Sequence, residues 1–361
     1  MFVNTTLQKI ALSLFIIMST VYIMHIGASM IVPIVFATLI AIFLYPLDRR
    51  VLKIVKFKSL SILISFIAVL LPISILGFLF YVQLSDIIDS LPAIGKNLQS
   101  GLDKILTTVS DKIPIINVNR KSLMNSESVN DITGQIGILG KGFVSTSSLL
   151  LAIFLTVIYT FFILYYRRSI KNFIIYQFES KLRPDIKETL TQIKEIVQSY
   201  LGGLGIVIIF LSIVNSIGLW IIGIEYPLFW GTLAGLLAVI PYVGTVLGGL
   251  LPFLFSLATY EHSWQPVAII VFYGVIQFLE GNIITPKIVG DKVDINPLFA
   301  IMAVIVLSGI WGIPGTILAL PLFGIFRIIL SQFESTKPLA TLMSSSVDEK
   351  VGRFKKLADS K

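Results

Sequence analysis

The run Gln277-Phe278-Leu279-Glu280-Gly281-Asn282 sets an ionisable carboxyl inside an apolar stretch. At helical spacing Gln277, Glu280 and, less closely, Ile284 share one face. A carboxyl in hydrocarbon is expensive to keep, which makes Glu280 a candidate for exchanging a proton or a cation. The alternative is structural: a cap, or a pairing with Lys287 or Lys292. Two further groups, Tyr242-Val243-Gly244-Thr245 and Pro314-Gly315-Thr316, each begin a helical arm whose first N–H groups lack acceptors within the helix and whose dipole is positive toward the tip. Such a tip can hold a hydroxylated or anionic ligand, and the carbonyls that end the preceding arm suit a cation. Gly allows close backbone approach, and Pro starts an arm without wasting a donor. Asn215 and Ser216 are a polar pair in another apolar span; they either line the same pathway or hydrogen-bond between helices.

The elements that carry the two tips are copies of one another. Pro227-Leu228-Phe229 leads through an apolar run to Ile240-Pro241-Tyr242-Val243-Gly244-Thr245, and Pro297-Leu298-Phe299 leads likewise to Ile313-Pro314-Gly315-Thr316. The Phe to Gly-Thr spacing differs by one residue between the copies. Paired hydrophobic segments interrupted by Pro and Gly point to the substrate site of a secondary transporter, although a plain Pro/Gly kink in a long helix is the competing account. The arms, about 13 to 15 residues, reach only about 20 to 22 Å as helix. They fit either re-entrant pairs that meet near the midplane or tilted full crossings.

Composition fixes the solvent. At 55% hydrophobic and 13% charged, a chain of 361 residues carries more apolar surface than one soluble core could hide. The expected fold class is an all-α polytopic membrane protein. The chain has no Cys, which excludes disulfides, thiolate metal sites and Cys nucleophiles. Its two histidines, His25 and His262, stand in no catalytic or metal-ligand spacing, and Gly140-Lys141-Gly142 lacks the Ser or Thr of a phosphate-binding loop. No enzyme activity, cofactor, metal or nucleic-acid partner is expected. The expected partners are a small-molecule or ion substrate, the lipid bilayer and further copies of the chain.

About eight hydrophobic segments result: two from Leu7 to Leu47, read as an uncleaved helical hairpin broken at His25-Ile26-Gly27-Ala28-Ser29, then 60–82, 148–166, 201–222 and 265–286, and the two duplicated hairpins. Arg49, Arg50, Lys53, Lys56 and Lys58 stand against only Asp48 after the second span, and Arg167, Arg168 and Lys171 follow the fourth; both ends read as cytoplasmic. The insert 83–146 has six basic and six acidic residues and belongs outside. The basic tail puts the C-terminus inside with the N-terminus, and the hairpins then enter from opposite sides, as an inverted repeat suited to alternating access.

Outside the bilayer, Ile87, Leu91, Ile94, Leu98, Leu102, Ile105 and Val109 form an amphipathic stripe before Pro114, expected to pack on the membrane or on another copy. Residues 115–146 read as a return loop, and 184–200 as a second amphipathic stretch that feeds span five. The organisation is therefore 1–82, spans one to three; 83–146, the outer insert; 147–200, span four and a cytoplasmic helix; 201–330, the core with duplicated hairpins; and 331–361, a cytoplasmic tail.

Ala238-Val239-Ile240-Pro241-Tyr242-Val243-Gly244, the block Gln277 to Gly290, and Gly312-Ile313-Pro314-Gly315-Thr316-Ile317-Leu318-Ala319-Leu320-Pro321-Leu322 together resemble the autoinducer-2 exporter (AI-2E) family of bacterial permeases, also called PerM-like. Thr245 stands where the family commonly has Pro, and Asn296 where it commonly has His before Pro-Leu. The resemblance implies a multi-pass transporter of the bacterial inner membrane that exports a small hydroxylated, furanone-type signal. Some relatives are instead described as sodium or lithium to proton antiporters, and a scaffold without flux is a third alternative.

Overall fold

Backbone groups in hydrocarbon must be satisfied within their own segment, so long Leu, Ile and Phe runs cross a membrane as helices. The computed structural model describes residues 5–112, 147–239, 243–260, 264–284 and 294–345, and every regular element among them is helical. In chain order these are α1 (Thr5–Ile26), α2 (Ala28–Val55), α3 (Lys58–Lys112), α4 (Ser147–Tyr176), α5 (Arg183–Ile222), α6 (Pro227–Leu237), α7 (Val243–Thr259), α8 (Trp264–Leu279) with a π-helical turn at Glu280–Ile284, α9 (Pro297–Trp311), α10 (Ile313–Ser331) and α11 (Lys337–Leu342). Six of them, α2, α3, α4, α5, α8 and α10, contain stretches long and apolar enough to span a bilayer. The protein is an all-α polytopic membrane protein.

Two junctions differ from expectation. At Gly27 the helical bonding continues on both sides: Gly27 N–H donates to the Ile23 carbonyl and Ile31 N–H to the Gly27 carbonyl, each at 2.8 Å. With one residue between the helices and no loop, α1 and α2 meet at a bend, and the expected fold-back hairpin is a kink. Farther on, the third span does not stop before the amphipathic stripe; α3 runs through both for 55 residues, because the stripe keeps the same helical period. Side chains from residue 88 to the end of α3 lie outside the described residues, as do the return loop at 115–146 and the tail from 346.

The duplicated segments are true antiparallel pairs. A Cβ on Gly244 would lie 1.7 Å from the Leu237 carbonyl oxygen, and one on Gly248 would lie 2.9 Å from Ala234 Cβ, so α7 runs back along α6. A Cβ on Gly315 would lie 1.9 Å from the Leu307 carbonyl oxygen. Leu237 and Leu307 each stand eight residues after the Phe that opens their copy, so both tips are closed in the same way and the one-residue difference falls in the turn. This packing excludes the simple kink. The second arms exceed the expected length, with 17 residues in α7 and 19 in α10, or about 25 and 28 Å.

By contacts the chain divides into two interleaved units: 1–67 with 148–202 and 290–361, and 68–147 with 203–289. In the first unit Leu39, Val197, Ala303, Leu307, Trp311, Leu318 and Ala319 form the buried core, so α2 and α5 pack on the second hairpin. Asp48, fully buried, pairs with Arg167 of α4 and accepts a 2.7 Å bond from Ser61 Oγ of α3. The cations of Arg167 and Lys194 each stand 5.0 Å from the Tyr45 ring. The second unit is centred on the first hairpin, with Leu219, Ile222, Phe229, Trp230, Phe255 and Ile269 buried together.

Candidate functional site

In the second unit α5 and α6 cross on small residues at four-residue spacing. Cβ atoms on Gly231 and Gly235 would lie 2.3 and 2.2 Å from the hydroxyls of Ser216 and Ser212, so glycine alone lets the backbones approach this closely. Gly249 of α7 packs under α8, where a Cβ would stand 3.0 Å from the Tyr273 ring. Small residues thus hold four helices tightly together.

Polar groups enclosed by that packing are left without partners. Gln83 Oε1, Asn215 Oδ1, the hydroxyls of Ser216, Thr232, Ser256, Thr259 and Tyr273, the Trp230 indole N–H and Gln265 Oε1 are buried and accept or donate no hydrogen bond. Asn215, Thr232 and Ser256 are each more than nine-tenths buried. Asn215 lies one turn from Leu211, which clusters with Ile276, and one turn from Leu219, which clusters with Ile269; it therefore shares the α5 face that packs on α8. Gln83 and Thr232 line one small cleft floored by the stacked rings of Phe80 and Phe229, whose centroids are 4.4 Å apart. These groups are all uncharged, and the cleft beside Gln83 and Thr232 has no room for a water molecule in this conformation.

Glu280 belongs to the same unit. It is half-buried at the start of the π-helical turn, and among the described residues it has no ion pair. Gln277 and Asn282 are exposed, and Asn282 Nδ2 donates back to the Phe278 carbonyl at 2.8 Å. Gly244 is buried in the first tip. Tyr242 and the Thr245 side chain, with Lys287 and Lys292, lie outside the described residues.

The second tip belongs to the first unit. Pro314 sits in the first turn of α10, and Thr316 is committed locally, with its hydroxyl 3.3 Å and its N–H 3.1 Å from the Gly312 carbonyl. The open face of Gly315, like that of Gly244, is filled by the carbonyl of its own first arm. Both glycines therefore serve arm-to-arm packing on that side.

Residues 12–335 match the AI-2E family of transporters. The chain belongs to this family. Its relatives include the putative transport protein YrrI of Bacillus subtilis, 31% identical over 40% of each chain, and a putative transport protein of Borreliella burgdorferi, 28% identical over 48% of this chain and 50% of that one. The putative transport protein YhhT of Escherichia coli is 21% identical over 88% of this chain and 89% of its own, and the AI-2 transport protein TqsA of Escherichia coli 26% identical over 37% and 40%. The matches to the first two thus span half or less of those proteins. The family is described as one of transporters, and these relatives carry the names of transport proteins.

Within this AI-2E chain, sequence reasoning singled out Asn215 and Ser216 but missed Thr232, Ser256, Thr259 and Tyr273. A usable signal was present. Ser212 and Ser216 repeat at the spacing of Gly231 and Gly235, which marks a close helix crossing. Hydroxyls one residue or a few from such a crossing are enclosed by it. Asn296, where the family commonly has His, has a local use: its side chain caps α9 by accepting from Phe299 N–H at 3.0 Å.

Proposed function

We propose that this AI-2E protein is a secondary transporter of the bacterial cytoplasmic membrane that exports a small, neutral, hydroxylated solute of the autoinducer-2 kind. The observation that carries this reading is the chemistry of the unpaired groups in the second unit. All are amides, hydroxyls or an indole N–H, and none is ionised. Each costs about 1 to 3 kcal/mol while unpaired, a cost that a polyhydroxylated solute offsets on binding. The name of TqsA supports the cargo class. The ends of α2 and α4, rich in Arg and Lys, face the cytoplasm in this reading.

The test separates binding from folding. Thr232→Val removes a hydroxyl that has no partner, so it should raise thermal stability while slowing efflux of a labelled furanone-type solute from reconstituted vesicles. A loss of stability, or unchanged efflux, would sink the assignment. A second reading, cation to proton antiport, draws on Glu280, a carboxyl in a spanning segment with no ion pair among the described residues. Glu280→Gln should leave membrane insertion normal and abolish the pH dependence of transport; an unaltered pH profile makes Glu280 structural. A pH change driven by added sodium favours the antiporter.

A further inference from the structure

The second hairpin is fastened at both ends within its unit. At the tip the Trp311 indole N–H donates to the Met24 carbonyl at 2.9 Å, and His25 Nδ1 lies 2.8 Å from the Ile310 carbonyl. At the foot Asp294 pairs with Arg327 at 2.8 Å and accepts from the hydroxyls of Ser344 and Ser345 at 2.8 and 2.7 Å. Asn296, besides capping α9, donates its amide to the Leu342 carbonyl at 2.7 Å, and its backbone N–H donates to Met343 at 2.9 Å. The foot of α9, the end of α10 and the segment after α11 are thus one hydrogen-bonded block.

Helix α2 is a ruler for the space between those ends. The Asp48–Arg167 pair and the adjacent Arg49 and Arg50 mark the end of α2 that leaves hydrocarbon. From Asp48 back to Ala28 is about 20 residues, or about 30 Å of helix, which is one hydrocarbon thickness. Ala28 therefore lies at the opposite boundary. Met24 and His25, just before it, are the residues bonded to the hairpin tip. Ala28, Ile31, Val35 and Ile42 of α2 pack on the hairpin core along the way; α10 measures about 28 Å, and α9, with 15 residues, about 22 Å before the Asp294–Asn296 foot is added.

We propose that the second hairpin crosses the whole hydrocarbon layer and acts as a fixed strut, with no re-entrant tip near the midplane. The conformational change of transport then falls to the first hairpin, whose buried hydroxyls lack partners; this last clause rests on the proposed cargo site, whereas the crossing does not. The two copies of the repeat have accordingly taken different jobs.

The chain has no Cys, so single replacements report sidedness directly. Ile313 at the tip and Gln332 just past the foot are both exposed. Ile313→Cys should react with an impermeant maleimide from outside intact cells, and Gln332→Cys only from the cytoplasmic side in inverted vesicles. A tip thiol that is unreactive from both sides, or that labels from the same side as Gln332→Cys, overturns the crossing. For the strut, a His25→Cys, Ile310→Cys pair bridged by a bismaleimide in the full chain should transport within about twofold of the unbridged protein, and a loss of about tenfold or more on bridging overturns it. Labelling needs no transport. A protein that moves none of the cargoes tested would refute the cargo assignment while the maleimide result still decides the crossing.

Discussion

Gly315→Ala tests the geometry on which both hairpins depend. The added Cβ would lie 1.9 Å from the Leu307 carbonyl oxygen and 2.5 Å from its carbon, where ordinary contact begins at 3.4 Å. The arms of α9 and α10 must then part by about 1.5 Å, against backbone that cannot rotate away, at a cost of about 1 to 3 kcal/mol from overpacking. The shift also strains the bond from Trp311 to Met24, worth about 0.5 to 1.5 kcal/mol. A loss of about 2 to 4 kcal/mol is expected. Gly309→Ala in the same hairpin is the control: nothing lies within 4 Å of its Cβ, and helix propensity alone should stabilise it by about 0.5 to 1 kcal/mol. Unfolding of the purified protein in detergent by added SDS gives both midpoints. They should move in opposite directions from wild type, and a Gly315→Ala midpoint at or above wild type would refute the closure of the tip.

Asp48→Asn leaves the Arg167 guanidinium without its carboxylate and should cost about 3 kcal/mol, the low end for a buried pair because the Arg167 side chain is 20% exposed. Adding Arg167→Gln should recover much of the loss in the same SDS titration; an Asp48→Asn protein as stable as wild type would contradict the pairing. Tyr260 closes the foot of the first hairpin, its hydroxyl accepting from Glu225 N–H at 2.7 Å and donating to the Gly223 carbonyl at 3.0 Å, so Tyr260→Phe should cost about 0.5 to 1.5 kcal/mol. Burial pushes that hydroxyl above its ordinary value, and the Glu225 carboxylate adds to the shift while the Glu225 N–H opposes it. A raised value means the stabilisation is complete below about pH 10 and is lost only as pH rises through the folded value, so the gap between wild type and Tyr260→Phe should be equal at about pH 6 and pH 9. A gap that closes over that range would contradict the assignment.

The duplicated hairpins were legible because Pro and Gly punctuate an apolar run twice at nearly the same spacing. What fills the face of Gly244 and Gly315 was not legible, since Leu237 and Leu307 are two apolar residues among many and it is their carbonyls that make the contact. The His25-Ile26-Gly27-Ala28-Ser29 break reads as a turn by composition, yet helical hydrogen bonds continue on either side of Gly27 and only a bend remains. Asp48 stands 119 residues from Arg167, and nothing in its basic surroundings singles out that partner. Of the candidate site, Asn215 was visible because an amide is conspicuous in an apolar span. Thr232 and Ser256 were not, because single hydroxyls in such spans usually bond their own backbone, and only the packing around them shows that these do not.

The bond between His25 and Ile310 joins residues 285 apart in sequence. At about 5 to 20 residues per second, a ribosome needs roughly 15 to 60 seconds to travel from one to the other. Throughout that interval α2 is already in the membrane with its hairpin-facing side uncovered. In water such a side would invite aggregation, but acyl chains cover it as readily as a neighbouring helix does. The first unit can therefore wait for α9 and α10 to be synthesised, and its assembly is completed only when the residues that meet Asp294 and Asn296 emerge.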